Sequence, residues 1–224
     1  GGRAPVVRPA RTSLVPPQHG AWAFLGLPLI LGALVAPASW TTLMLVGAAF
    51  TTYPASYFAL SLARARRGAR FRRPLLVWTL AATPPALVLL VSRPWLVWVG
   101  VGYAALFAVN LGFARRNHER DLGNEAVLTV QAVALVPLTW LLAAPADDRW
   151  WPPVSAAPEE VWLLTAVCAL VLLGSTLHVK SLLRARRNPA YAAASRALAA
   201  VSLVVSIAVA VAWRLPAAPA LAVP

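Results

Sequence analysis

Long apolar runs alternate with short polar segments along the whole chain. Most of these runs hold roughly 20 residues, the length that a helix needs to cross the hydrocarbon core of a bilayer. The pattern therefore predicts an all-α, polytopic transmembrane bundle of about seven spans. The expected helices are about Ala21–Val35, Trp40–Leu62, Pro74–Val91, Trp95–Phe113, Glu125–Ala143, Val161–Val179 and Tyr191–Trp213.

Prolines inside these runs predict irregular helices. Pro28 is expected to kink the first helix, and Pro84-Pro85 to interrupt the third at mid-span. The chain ends differ from the runs in composition. We expect a disordered basic lead-in at 1–15, a single transmembrane helical domain at 16–214 and a flexible tail at 215–224.

Composition agrees with a membrane protein, because 60% of the residues are hydrophobic and only 12% are charged. Soluble domains carry about a quarter charged residues. Cys168 is the single cysteine, which excludes a disulfide or a thiolate metal site within one chain.

The distribution of positive charge predicts the orientation. Three basic residues, Arg93, Arg149 and Arg214, lie on one predicted side of the bundle. Every other Lys and Arg lies before the first helix, at the base of the last helix, or in the loops that join the second helix to the third, the fourth to the fifth and the sixth to the seventh. Since positive residues collect on the cytoplasmic side, the N-terminus is expected inside and the C-terminus outside. The net charge of +13 is then explained by topology and anionic lipid headgroups, without a nucleic-acid partner. An aromatic belt is expected at the outer boundary, from Trp40, Trp95, Trp150, Trp151, Trp162 and Trp213.

Two of the basic loops share a sequence. SLARARRG at 61–68 and SLLRARRN at 181–188 are identical at six of eight positions, and ARRN recurs at 114–117. One interpretation is a structural repeat, in which helices deliver similar arginine corners to one face. The other is that Ala-rich and Arg-rich loops converge on this composition independently.

The stretch NHERDLGNE at 117–125 gathers carboxylates, amides and a histidine at the predicted inner boundary. Asn117, Asp121 and Glu125 are spaced i, i+4, i+8, so they would form one stripe if the fourth helix continued through them. Such oxygens suit Mg²⁺, with Asp121 and Glu125 as its carboxylate ligands. Gly123 favours a break instead, which would make the carboxylates ordinary charges at the start of the fifth helix.

The other rare polar groups fall on the same side. The candidate ligand-binding residues are His19, Asn117, Asp121, Glu125, His178 and Lys180. The candidate phosphate-binding residues are Arg64, Arg67, Arg115, Arg116, Arg184 and Arg187, because guanidinium offers paired donors to phosphate oxygens. The alternative for the arginines is charge bias that sets topology and contacts anionic headgroups.

Within the spans, polar residues are few. Asn110, Thr129 and Gln131 are expected to form hydrogen bonds between helices. No charged residue falls at mid-membrane by this reading of the spans, which disfavours an ion-coupled transporter.

Two segments resemble a known family. Pro16-Pro17-Gln18-His19-Gly20-Ala21-Trp22-Ala23-Phe24 is similar to the opening signature of the YwiC-like bacterial membrane proteins. His178-Val179-Lys180-Ser181, followed by Arg184, Arg186, Arg187 and Asn188, resembles the later basic segment of that family. The resemblance implies a multi-span protein of the bacterial inner membrane, and it implies no mechanism.

A partial resemblance to UbiA-type prenyltransferases rests on Asn117, Asp121 and Glu125, which fall on the spacing of that family's Asp-rich string. It would imply Mg²⁺ and a prenyl diphosphate. His118 and Glu125 stand where that string has Asp, and the loop before the seventh helix has no carboxylate. The resemblance therefore does not extend to a second metal.

The functional hypothesis is a basic cytoplasmic face that binds a phosphate-bearing lipid or isoprenoid. The alternatives are UbiA-like prenyl transfer, a small-solute permease, and a structural or assembly role without catalysis. The sequence leaves open whether the protein is an enzyme.

Overall fold

The computed structural model describes residues 13–17, 19–65, 68–116, 121–145, 150–183 and 189–214. The described chain is helical and without strands, which confirms the predicted all-α class. Its helices are α1 (His19–Val35), α2 (Trp40–Arg64), α3 (Ala69–Ser92), α4 (Leu96–Arg115), α5 (Leu122–Val133), α6 (Leu135–Ala143), α7 (Glu159–Leu183) and α8 (Pro189–Arg214), with a 3-10 turn at Val154–Ala156.

Six of the predicted spans are long and apolar enough to cross a membrane: α2, α3, α4, α7, α8, and α5 with α6 taken together. The first span, α1, has 17 residues and is shorter. The described residues thus contain a bundle of seven apolar segments, and they fit a multi-pass membrane protein.

The fifth predicted helix is two helices, interrupted at Ala134. Pro137 explains the interruption, because it has no N–H to donate to the carbonyl of Val133 one turn earlier. The Tyr103 hydroxyl of α4 donates to the Gln131 carbonyl at 2.6 Å, next to the interruption. A donor from a neighbouring helix thus supports the opened turn, as membrane interiors require.

The expected interruption at Pro84-Pro85 was wrong, since both prolines lie inside a continuous α3. The Thr83 hydroxyl donates to the Thr79 carbonyl at 2.8 Å in the turn before them. The carbonyls that lose an amide donor to the two prolines are those of Leu80 and Ala81, so this bond does not replace the missing donors.

The broken span is the centre of the molecule. Half of the residues in its most apolar 18-residue stretch are buried (50%), whereas only 6% are buried in the corresponding stretches of α3, α4 and α8. α6 packs against α1, α2 and α7, and α5 against α4 and α7. Most of the apolar surface of these three helices is therefore exposed, as on helices that face lipid.

The end of the bundle at which α6 finishes is closed by hydrogen bonds. The Arg93 guanidinium donates to the carbonyls of Leu142 at 3.1 Å and Ala144 at 2.7 Å. The Thr41 hydroxyl also donates to the Leu142 carbonyl, at 2.8 Å. These donors satisfy carbonyls that the end of a helix leaves without partners.

Trp95 departs from the predicted aromatic belt, because its side chain is 1% exposed and packs in the core at this closed end. Four other predicted members, Trp40, Trp150, Trp151 and Trp162, are exposed, as a belt requires. The side chain of Trp213 lies outside the described residues.

The two helical hairpins α2–α3 and α7–α8 have matching boundaries. A shift of 120 positions superimposes SLARARRG on SLLRARRN in the sequence. The same shift aligns the helix boundaries to within one residue. The start of α2 at Trp40 falls on the start of α7, the end of α2 at Arg64 on the end of α7, and the start of α3 at Ala69 on the start of α8. α3 packs along α2, and α8 packs along α7. These matches support the interpretation that the basic loops belong to a structural repeat.

Candidate functional site at the basic end of the bundle

The basic end is the end of the bundle at which α1, α3, α5 and α8 begin and α2, α4 and α7 finish. Among the predicted site residues, Arg64, Arg115, Arg116, Asp121 and His178 are exposed there, whereas Glu125 is half-buried and Lys180 buried. The remaining predictions, Arg67, Asn117, Arg184, Arg187 and the side chain of His19, lie outside the described residues.

The stretch 117–125 does not continue the fourth helix. α4 ends at Arg115, and Asp121 is the extended residue before α5, with φ −71° and ψ 150°. The stripe expected on an unbroken helix is therefore wrong, and the alternative that places the carboxylates at the start of the next helix is confirmed. The break lies before Gly123, whose added Cβ would meet the Phe113 ring at 3.0 Å. The glycine is needed for close packing between α4 and α5.

Glu125 and Lys180 meet across α5 and α7. The Lys180 Nζ lies 2.9 Å from a carboxylate oxygen of Glu125, and the two side chains are 7% and 19% exposed. Glu125 also lies in the first turn of α5, where a carboxylate interacts favourably with the helix dipole. Two of the predicted ligand-binding residues are thus brought together as a largely buried ion pair.

The Mg²⁺ site stays a prediction. The described residues contain no group of three or more His, Cys, Asp or Glu side chains that could hold a metal ion. Glu125 already faces an ammonium group, which repels a cation at the same oxygen. The third predicted ligand, Asn117, lies outside the described residues.

The larger of two cavities at this end lies beneath the segment 13–17. It has a volume of about 390 Å³ and opens to the surface. Its walls are mainly aromatic and proline side chains, from Ser13, Val15, Pro16, Pro17, Tyr57, Phe58 and Phe71. The Trp78 indole of α3 donates to the Leu14 carbonyl at 2.6 Å and thereby fixes the segment against the helix.

Two arginines lie in the adjoining turns of α2 and α3, although neither lines the cavity. The Arg70 guanidinium stacks over the Phe71 ring, 4.6 Å from its centroid. Arg64 follows Tyr57 by seven residues, so both project from the same face of α2. The Arg64 Nη2 donates to the Ser61 hydroxyl at 3.2 Å. We call this arrangement, formed by segment 13–17 with the adjoining turns of α2 and α3, the first corner.

A second cavity of about 290 Å³ lies at the end of α4 and is lined by Val109, Gly112, Phe113 and Arg116. It shares no lining residue with the first cavity. Its lining is apolar apart from Arg116, whereas the lining of the first cavity contains no cation.

The two basic hairpins carry carboxylates only at the start of α7. All seven acidic residues lie between Glu119 and Glu160, so neither α2–α3 nor α7–α8 beyond Glu160 contains one. In the described part of the chain, the Glu125 carboxylate of α5 contacts the Lys180 ammonium of the second hairpin.

The α4–α5 interface carries the expected polar contacts. The Asn110 amide donates to the Gln131 side-chain oxygen at 2.8 Å, which confirms the prediction for this pair. Thr129 instead donates to the Glu125 carbonyl of its own helix at 2.8 Å. The buried Asn110 Oδ1 has no hydrogen-bond partner among the described residues.

Sequence reasoning missed the first corner's walls and Arg93. The sequence places Tyr57 and Phe58 in the second expected span and Phe71 in the loop that follows it, and their juxtaposition depends on the packing of α2 on α3. The charge distribution assigns Arg93 only to the outer side of the bundle. The sequence does indicate a structural role, because Arg93 precedes Pro94 in a tight turn between apolar runs, where a charged side chain needs a partner.

Comparison with known proteins gives a family. A family model described as YwiC-like protein matches residues 15–140. The uncharacterized protein YwiC of Bacillus subtilis is 28% identical over 181 residues, which cover 80% of this chain and 71% of that protein. An uncharacterized protein of Haemophilus influenzae is 26% identical over 178 residues, with the same coverage. No solved structure matches the chain.

Proposed function

The chain belongs to the YwiC-like family, and we propose that its basic end binds the phosphate of an amphipathic lipid. The ligand is a phospholipid with a phosphomonoester headgroup or an isoprenoid phosphate. Its phosphate contacts arginines of the first corner, and the first part of its hydrocarbon chain occupies the cavity beneath segment 13–17.

The cavity of about 390 Å³ is the observation that carries this proposal. Its proline and aromatic walls suit a hydrocarbon chain, and a lipid-facing helix pair brings the cavity to the bilayer boundary. Val15 lines it and is 56% exposed, so the segment above the cavity presents apolar surface that a chain would cover.

Charge supports the phosphate end. Arg64 and Arg70 are exposed in the turns of α2 and α3 that adjoin the cavity, and guanidinium groups bind phosphate oxygens through paired hydrogen bonds. The sequence of α2 and α3 contains no carboxylate. An amphipathic lipid supplies both an anion for these arginines and a hydrocarbon chain for the cavity.

The test is binding of defined lipids to the purified full chain in detergent. Phosphatidic acid and a polyprenyl monophosphate are titrated separately, with phosphatidylcholine and the polyprenyl alcohol as their matched probes. We expect the phosphomonoesters to bind at least about tenfold more tightly, the effect of one lost charge-assisted hydrogen bond. The arm that binds more tightly identifies the natural class of ligand.

Two variants locate the site. Val15→Trp fills the cavity and is expected to weaken phosphomonoester binding, whereas Leu14→Trp alters an exposed neighbour that does not line it. The double variant Arg64→Gln/Arg70→Gln removes the cations, and Arg196→Gln is the control for loss of an exposed arginine elsewhere. Unchanged binding in Val15→Trp and in the double arginine variant would refute the proposal.

The alternatives give different results with the same protein. Prenyl transfer requires that a bound polyprenyl diphosphate be consumed, with pyrophosphate released, when an acceptor is present. A permease requires solute flux in vesicles, and the polar contacts of Asn110 with Gln131 are where its path would cross the bundle. A purely structural role predicts no preference for phosphomonoesters over their neutral probes.

A further inference from the structure

Two hydroxyl-bearing side chains line the first cavity. They are Tyr57 of α2 and Ser13 of the covering segment, and the other lining side chains are apolar. We propose that these two hydroxyls donate to the ester carbonyls of the bound lipid, so that the ligand is a diacylglycerol phosphate rather than an isoprenoid phosphate. This inference rests on the proposed function, but it does not depend on which basic side chain contacts the phosphate.

The Tyr57 hydroxyl is not used by the fold. Tyr57 is half-buried, and its hydroxyl forms no hydrogen bond within the part of the chain that the structure describes. Its ring packs edge-on against the Phe58 ring, with the centroids 5.2 Å apart, and this contact holds the phenol at the cavity wall. A phenol beside hydrocarbon usually has a hydrogen-bond partner, because an unpaired hydroxyl there costs free energy. The ligand is therefore expected to supply an acceptor at this wall.

The Ser13 hydroxyl also has a donor to offer. Its oxygen accepts a hydrogen bond from the Val15 amide at 3.1 Å, which leaves the O–H free to donate. Ser13 and Tyr57 belong to different elements, and the bond from the Trp78 indole to the Leu14 carbonyl holds the covering segment in place over the helices. The cavity thus presents two donors to a ligand from two sides.

Ester carbonyls separate the two lipid classes of the proposed function. A diacyl phospholipid carries two of them next to its phosphate, whereas a polyprenyl monophosphate carries only hydrocarbon beyond its phosphate ester. The 25-residue α2 is about 38 Å long and exceeds a hydrocarbon core of about 30 Å, so its last turn reaches the headgroup layer. Tyr57 lies two turns before that end, near the boundary at which ester groups are found. An isoprenoid would leave both donors unpaired.

Two matched phosphatidic acids test the contact when they are titrated into the purified full chain in detergent. The diacyl lipid has the carbonyls, and the dialkyl ether lipid has methylene groups in their place. We expect the diacyl lipid to bind about 25-fold more tightly, with a factor of about five from each of two neutral hydrogen bonds. Tyr57→Phe and Ser13→Ala should each weaken binding of the diacyl lipid about fivefold and leave the ether lipid unchanged. Tyr191→Phe is the control, because it removes the hydroxyl of a half-buried tyrosine that does not line the cavity.

The results that would overturn the inference differ from those that would overturn the proposed function. Equal binding of the diacyl and dialkyl lipids, both tighter than phosphatidylcholine, refutes the ester contact and leaves the phosphate site standing. An equal loss of both lipids in Tyr57→Phe also refutes it, since the hydroxyl then contacts the phosphate or supports the wall. Tighter binding of polyprenyl monophosphate than of the diacyl lipid refutes the assigned class of ligand. If no phosphomonoester binds more tightly than its matched probe, the proposed function fails, and the inference fails with it.

Discussion

Arginine is used in opposite ways at the two ends of the bundle. At the closed end Arg93 is 7% exposed, and its guanidinium donates to carbonyls at the end of α6. At the basic end Arg64, Arg70, Arg115 and Arg116 are exposed. The same side chain therefore completes the fold at one end and forms an exposed, positively charged surface at the other.

Packing along α1 differs between its two halves. At the closed end α1 touches α6 so closely that a Cβ on Gly32 would lie 2.7 Å from the Thr139 Cβ. Toward the basic end a Cβ on Gly20 or Gly26 would meet nothing within 4 Å. The looser packing belongs to this half of α1 and not to the whole basic end, where Gly123 packs against the Phe113 ring.

The largest effect is expected from Arg93→Met. The Ala144 carbonyl loses its charged donor, while Thr41 still serves the Leu142 carbonyl. We expect a loss of about 3 kcal/mol in the free energy of unfolding, measured by denaturant titration in detergent. Arg115→Met at the exposed end should stay within about 0.5 kcal/mol of the unmodified protein. Equal effects of the two variants would contradict the division between the ends.

A smaller effect is expected from breaking the ion pair at the basic end. Lys180→Met leaves the Glu125 carboxylate unpaired, and we expect a cost of about 2 kcal/mol because that side chain keeps some contact with solvent. The double variant Lys180→Met/Glu125→Gln should recover most of this loss, since a neutral pair of similar volume avoids the buried charge. Simple additivity of the two single variants in the same titration would show that the pair does not act as a unit.

The smallest effect is expected from the glycines of α1. Gly32→Ala should cost about 1–2 kcal/mol, because Thr139 and the Val136 carbonyl must move to admit the methyl group. Gly26→Ala should stabilise the protein by about 0.5 kcal/mol, since alanine loses less backbone entropy in a helix and has open space there. Thermal unfolding of both variants checks the signs. A destabilised Gly26→Ala would show that the basic half of α1 is also tightly packed.

Residues whose role is local were predicted well. The ends of α2, α4 and α7 lie within about four residues of the expected positions, because apolar runs and flanking charges act through the bilayer rather than through particular neighbours. The prediction that Trp95 belongs to the aromatic belt was wrong, because its burial depends on particular neighbours. Its sequence context is that of a belt residue, and only the packing of Leu138, Leu142 and other core residues around it buries it.

The candidate site divides in the same way. The sequence placed Glu125, Lys180 and the arginines at one level of the bundle. It did not show that Glu125 pairs with Lys180 while the aromatic cavity forms on α2 and α3. Contacts between residues 55 positions apart depend on how the helices pack, and hydrophobic periodicity carries no information about which helices become neighbours.

The sequence by itself determined the class of the protein, the number of apolar segments and the concentration of positive charge at one end of them. These follow from hydrocarbon thickness and from the cost of placing charge in lipid, which act on each segment separately. Only the tertiary structure decided that Arg93 closes one end, that Pro137 breaks the central helix while Pro84 and Pro85 leave α3 continuous, and that segment 13–17 covers a cavity. The closed end, the break in the central helix and the covered cavity each involve a hydrogen bond between residues far apart in the chain, which only the fold brings together.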